Sequence, residues 1–121
     1  MKLYNVFLLI TCLAFQNAYA MEQNNREHHI VVSVVAKAGQ ADNLRNALQN
    51  IQELSRQEST CLQYEVIENN DAEGHFALYE RWTNKDDHAL QFNKLYIQEF
   101  IEQLPTLGDV SLYIGGHDVQ K

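Results

Sequence analysis

Glu80 is the residue whose placement most invites a chemical explanation. It lies in the run His75-Phe76-Ala77-Leu78-Tyr79-Glu80-Arg81-Trp82-Thr83, which alternates with period two. Phe76, Leu78, Glu80 and Trp82 therefore share one face of a strand, and His75, Ala77, Tyr79 and Arg81 share the other. A carboxylate between Leu78 and Trp82 on an otherwise apolar face must be paired, hydrogen-bonded or neutralised, because burial disfavours its charged form. Two explanations follow: a core carboxylate satisfied by helix or loop groups, or a cavity that holds something polar.

Other chemistries find no matching spacing. His28 and His29 are adjacent on a strand and point to opposite faces, and no His/Cys set has metal-ligand spacing. A metal site is therefore not expected. Glycine-rich phosphate loops are absent. No Ser or Cys stands in a nucleophile motif, and Cys61, at the start of a strand, reads as packing. Asp86-Asp87 reads as helix-start electrostatics rather than a catalytic pair.

The elements that must position Glu80 are legible in order. His29–Ala36 is a strand apolar on both faces, with Ile30, Val32 and Val34 on one and Val31, Ser33 and Val35 on the other, as in a strand covered on both sides. Residues 40–58 form an amphipathic helix carrying Leu44, Ala47, Leu48, Ile51 and Leu54. Cys61–Glu68 alternates as a second strand with Leu62, Tyr64 and Val66 inward. Asn69–Gly74 is a hairpin loop into the Glu80 strand. Thr83 or Asn84 caps a second helix that breaks near Asn93-Lys94 and shows the stripe Ile97, Phe100, Ile101, Leu104. Pro105 and Gly108 should stop it, and Val110, Leu112 and Ile114 form a last strand.

This order, strand-helix-strand-strand-helix-strand, predicts an α+β fold. Two right-handed split β-α-β units interleave into a four-stranded antiparallel sheet with both helices on one face. The first and third strands are then central. Their second face carries Val31, Val35, Ala77 and Tyr79, too apolar to lie bare in water, so a second copy packed sheet to sheet is the expected cover. Glu65 and Arg81 lie on neighbouring strands of that face, within range to pair across it.

At 121 residues there is room for one domain, expected over residues 29–116. Residues 1–20, with Lys2, an apolar run from Val6 to Phe15 and Ala18-Tyr19-Ala20, read as a secretory signal peptide. A polar leader (21–28) and a short tail (117–121) flank the domain. Removing the segment takes the net charge from −7 to −8, because Lys2 is its only charged residue, and leaves Cys61 as the sole cysteine. An exported chain, periplasmic or secreted, follows. Its acidity argues against nucleic acid and against membrane association after cleavage.

The stretches Ala36-Lys37-Ala38-Gly39, Glu58 to Val66 and Phe76 to Trp82, with its Glu-Arg-Trp end, resemble the antibiotic biosynthesis monooxygenase family, as does the helix from Asn84 to Phe100. The resemblance implies a ferredoxin-like βαββαβ unit that dimerises through its sheets into an α/β-barrel. It also implies a pocket between sheet and helices, and oxidation of a small aromatic or quinol substrate with no cofactor. On that implication Glu80 and His88 are the candidate proton acceptors. Trp82 and Tyr64 would wall the substrate, Phe92 and Tyr96 would line the lid side, and Gln91 would orient a hydroxyl. Gln91 stands where the family often has a histidine, and His88 lies one helical turn earlier. A non-catalytic binding module on the same fold is the alternative.

Overall fold

The computed structural model describes residues 25–119, so the signal-peptide segment lies outside the described residues. The elements are β1 (His28–Ala36), α1 (Ala41–Arg56), β2 (Cys61–Glu68), β3 (His75–Trp82), α2 (Lys85–Leu90), a 3-10 turn (Gln91–Asn93), α3 (Leu95–Leu107) and β4 (Gly108–Gly116). The sheet is antiparallel in the order β2-β3-β1-β4, with β1 and β3 central as the ferredoxin-like topology requires.

The core forms where the apolar face of the sheet meets the helices. Ile30, Val32 and Val34 of β1, Phe76, Leu78 and Trp82 of β3, and Tyr64 of β2 are buried against Leu44, Leu48 and Ile51 of α1 and Ile97 of α3. Asn84 caps α2 by accepting a hydrogen bond from the Asp87 backbone N–H at 2.7 Å, and this fixes where His88 emerges. The expected break in the second helix is the 3-10 turn followed by Lys94 in an extended conformation, which separates α2 from α3.

The structure corrects several boundaries and orientations. Strand β1 begins at His28, and Glu27 pairs with both Arg81 Nη2 (3.0 Å) and Nε (3.1 Å), so the domain starts before residue 29. Arg81 therefore does not pair with Glu65, which instead binds Arg56 at 2.7 Å. Helix α3 continues through Pro105 to Leu107. A proline so close to a helix end removes only one late hydrogen bond, and Ile101, whose carbonyl it would have served, is half exposed to water. Gly108 is the true stop: a Cβ there would lie 2.7 Å from the Val35 carbonyl oxygen, so the chain can enter β4 only with glycine.

Two bulges reset side-chain alternation. The pairing steps from Cys61↔Trp82 to Gln63↔Arg81, so Leu62 is left without a partner and is exposed rather than inward, while Cys61 packs on the core. On β4, Ser33 pairs Leu112 and Val34 pairs Val110, leaving Ser111 as the extra residue. Val110 and Tyr113 consequently face the helices, whereas Leu112 and Ile114 face the other way. Simple alternation had placed Val110, Leu112 and Ile114 together. The bulge is what brings Tyr113 to the helix side.

Candidate active site

A cavity of about 160 Å³ lies between the sheet and the helices, next to β3. Its walls are largely aliphatic and aromatic, from β1, α1, β2, α3 and β4, and three polar side chains enter it: Glu80, His88 and Gln91. All three are buried, at 5%, 7% and 4% exposure. The volume is close to that of an apolar cavity known to hold benzene, about 150 Å³.

Glu80 reaches this cavity because period-two alternation along β3 turns it inward beside Leu78 and Trp82. Its Oε1 accepts a hydrogen bond from the Trp82 indole Nε1 at 3.0 Å. Burial pushes the carboxyl up to about 7, and the Trp82 bond offsets only part of that rise. His88 Nε2 lies 4.0 Å from Glu80 Oε1. Burial, with His28 nearby, holds the imidazole down at about 4. At neutral pH the ring is uncharged, so this contact is not an ion pair. It is a neutral base facing an acid poised between its two protonation states.

The His88 ring is held among aromatic neighbours, with centroids 5.1 Å from Trp82, 5.3 Å from Phe92 and 5.4 Å from His28. His28, at the start of β1, had been assigned to the leader. It belongs to this cluster, and its strand position facing the core side was the available signal.

Gln91 is built differently. Its Nε2 donates to Ser55 Oγ at 2.8 Å and to Tyr96 Oη at 3.2 Å, and Tyr96 Oη donates to Glu58 Oε1 at 3.0 Å. Ser55 also meets the Tyr64 hydroxyl. Both amide protons of Gln91 are therefore committed to protein partners, so its Oε1, an acceptor, is the atom left to meet a substrate hydroxyl. Ser55, fully buried, ties this cluster together and had not been singled out. Its signal was present: it stands four residues after Ile51, on the apolar stripe of α1, where a hydroxyl needs a partner.

Of the candidate residues, Glu80, His88, Tyr64, Gln91 and Phe92 line the cavity together. Trp82 and Tyr96 do not line it. Trp82 is fully buried behind Glu80 and His88 and touches the cavity only through them. Tyr96 packs partly on the core, and its hydroxyl turns toward Gln91 and Glu58. Among the described residues no group of three or more His, Cys, Asp or Glu side chains could hold a metal ion. Burial pushes the Cys61 thiol up to about 11, which leaves it protonated and unreactive near neutral pH.

A family model described as antibiotic biosynthesis monooxygenase matches residues 28–104, from the first residue of β1 to late α3. A protein of Pseudomonas aeruginosa superposes with a TM-score of 0.74 at 19% identity, covering 80% of this chain and 98% of its own. A candidate antibiotic biosynthesis monooxygenase of Deinococcus radiodurans superposes with a TM-score of 0.69 at 25% identity, covering 78% of this chain and 94% of its own. A similarly described protein of Chloroflexus aurantiacus gives 0.67 at 19% identity, with 78% and 95% covered. No curated protein sequence matches the chain.

Proposed function

The chain belongs to the antibiotic biosynthesis monooxygenase family, and on that premise we propose that it oxidises a small phenol or quinol with molecular oxygen, without a metal or organic cofactor. One observation carries this reading. A carboxyl group with its pKa near 7 and an uncharged imidazole share the polar end of an apolar, ring-sized cavity. A general base works best when its proton affinity lies near the operating pH.

A quinol hydroxyl entering the cavity meets Glu80 or His88 and gives up its proton there. The ring anion is electron-rich enough to pass an electron to oxygen itself, and recombination at a ring carbon followed by loss of water completes the change. One quinol and one O₂ give one hydroxyquinone and one water, so no outside reductant is needed. The apolar walls keep water from the intermediates and hold the ring against the polar end. Trp82 fixes the Glu80 carboxyl, and through its contact with the His88 ring it fixes both acceptors at once.

Oxygen uptake with single-ring hydroquinones tests the proposal. Turnover should appear in the native chain and fall by about 10²-fold or more in Glu80→Gln and His88→Ala. A non-catalytic binder on the same fold is the competing reading, and the commitment of the Gln91 amide protons to Ser55 and Tyr96 favours it, since an amide at that position cannot take up a proton as a base. Hydroquinones that raise the melting temperature while oxygen uptake stays at background would decide for the binder.

The proposal extends to a homodimer and to export. The sheet face turned away from the helices exposes Ile67 (58%), Leu112 (44%) and Ile114 (54%), a patch that a second copy would cover by two-fold packing. Sedimentation analysis should give twice the chain mass, and Ile114→Lys should return it to the monomer. Sequencing of the mature N-terminus should begin at Met21.

A further inference from the structure

The cavity keeps its few polar groups at the buried end of an apolar interior and is edged by apolar side chains at its mouth. Glu80, His88 and Gln91 are each at least nine-tenths buried, whereas the lining residues that reach solvent are Phe92 (47%), Ile101 (48%), Val110 (48%) and Tyr113 (59%). These four come from the 3-10 turn, α3 and β4, so they edge the opening from both the helix and the sheet side. Half-exposed apolar groups around an opening gain most from a ligand that is itself apolar where it leaves the protein.

The interior selects the other end of that ligand. A volume of about 160 Å³ accepts one aromatic ring and little more. No Lys or Arg lines the cavity, so an anionic headgroup would meet Glu80 without a compensating cation. A neutral hydroxyl, able to donate to Glu80 or His88, fits without that penalty.

We propose that the natural occupant is a single-ring phenol or quinol bearing an unbranched apolar chain, ring inward against Glu80 and chain leaving over Phe92, Ile101, Val110 and Tyr113. This rests on the reading that the cavity takes a phenolic ring, but it is tested by binding alone. Oxygen uptake therefore judges the catalytic reading separately. The continuity of the apolar rim with the cavity wall is what favours a ligand chain over a second copy of the protein as the cover.

Titration calorimetry under nitrogen with phenol, 4-ethylphenol, 4-butylphenol and 4-hexylphenol provides the test. Affinity should rise about threefold per methylene over the first carbons, slightly less than complete transfer from water would give because the rim stays half wet. Ile101→Gln should flatten that dependence, and Val110→Thr, which keeps shape and differs by one hydroxyl, should reduce it in a strand that still folds. Equal affinity along the series overturns the proposal, as does absence of binding. So does tighter binding of 1-naphthol than of 4-butylphenol, because the cavity would then prefer a second ring to a chain. A change in self-association on Ile101→Gln, with the chain-length dependence intact, would assign that residue to a protein contact and likewise count against it.

Discussion

Two buried polar clusters flank the same cavity, and they are built on opposite principles. Around Ser55, Gln91, Tyr96 and Glu58 every donor named has an acceptor within 2.8–3.2 Å, and the charge at the outer end, on Glu58, sits 3.8 Å from Lys94. Across the cavity, Glu80 has one donor from Trp82, and His88 sits among ring contacts with its Nε2 4.0 Å from Glu80 Oε1. The first cluster is satisfied and therefore structural in effect. The second is left with unused proton affinity, the condition under which an incoming hydroxyl can be bound and deprotonated. Satisfied networks rigidify, whereas incompletely satisfied ones are where chemistry can be done.

Breaking each cluster should give different losses. The largest effect belongs to Glu80→Gln, which keeps the shape and the Trp82 bond but cannot accept a proton: oxygen uptake should fall by about 10²-fold or more with little change in melting temperature. If turnover survives, Glu80 belongs with the satisfied cluster and the comparison fails.

Ser55→Ala should do the reverse. It strips the partner from Gln91 and from the Tyr64 hydroxyl in a fully buried site, and should lower stability by about 1–3 kcal/mol, read as a fall of several degrees in melting temperature. Ser55→Thr, which restores a hydroxyl, should recover part of that loss. An unchanged melting temperature in Ser55→Ala would show that the cluster is not holding the helix to the sheet.

The pH dependence of stability sharpens the contrast further. Glu80 binds its proton more tightly in the folded chain than in the unfolded one, so its contribution to stability falls as pH rises from 4.5 to about 7. His88 binds its proton less tightly when folded, so its contribution rises from pH 4 to 6.5. Between about 4.5 and 6.5 the two slopes oppose each other, and the native chain should show little dependence from this pair. Removing one group exposes the other. Denaturant unfolding of Glu80→Gln should show stability increasing over that window by roughly 2 kcal/mol, after allowing for screening through the cavity mouth. His88→Phe should show a decrease of similar size. Parallel profiles in the two variants would mean that the groups are not set against each other as the geometry indicates.

The smallest effect concerns the one hydrogen bond that Glu80 receives. Trp82→Phe keeps an aromatic ring behind the carboxyl and removes the indole N–H. Because that bond lowers the proton affinity of Glu80, its loss should raise it, and the carboxyl titration followed by carbon-13 NMR should move to higher pH. A shift to lower pH would show that the indole contact does not favour the ionised form.

The sequence by itself determined the order of elements, the identity of the two central strands and the inward turn of Glu80. Each follows from local periodicity: period two along β1 and β3, the apolar stripe of α1, and the Asn84 cap. Those signals depend on residues near one another in the chain. The placement of Tyr113 and Leu62 was not legible, because a β-bulge is a property of two paired strands and one unpaired residue reverses every side chain beyond it. That the Ser55 hydroxyl needed a partner was legible from its place on the α1 stripe, but which partner it and Gln91 would find was not. Ser55 and Gln91 lie 36 positions apart, and only the docking of α1 against the 3-10 turn decides that their polar atoms spend themselves on each other. Tertiary packing alone decided that Trp82 supports the site from behind and that Glu80 is left facing an open space.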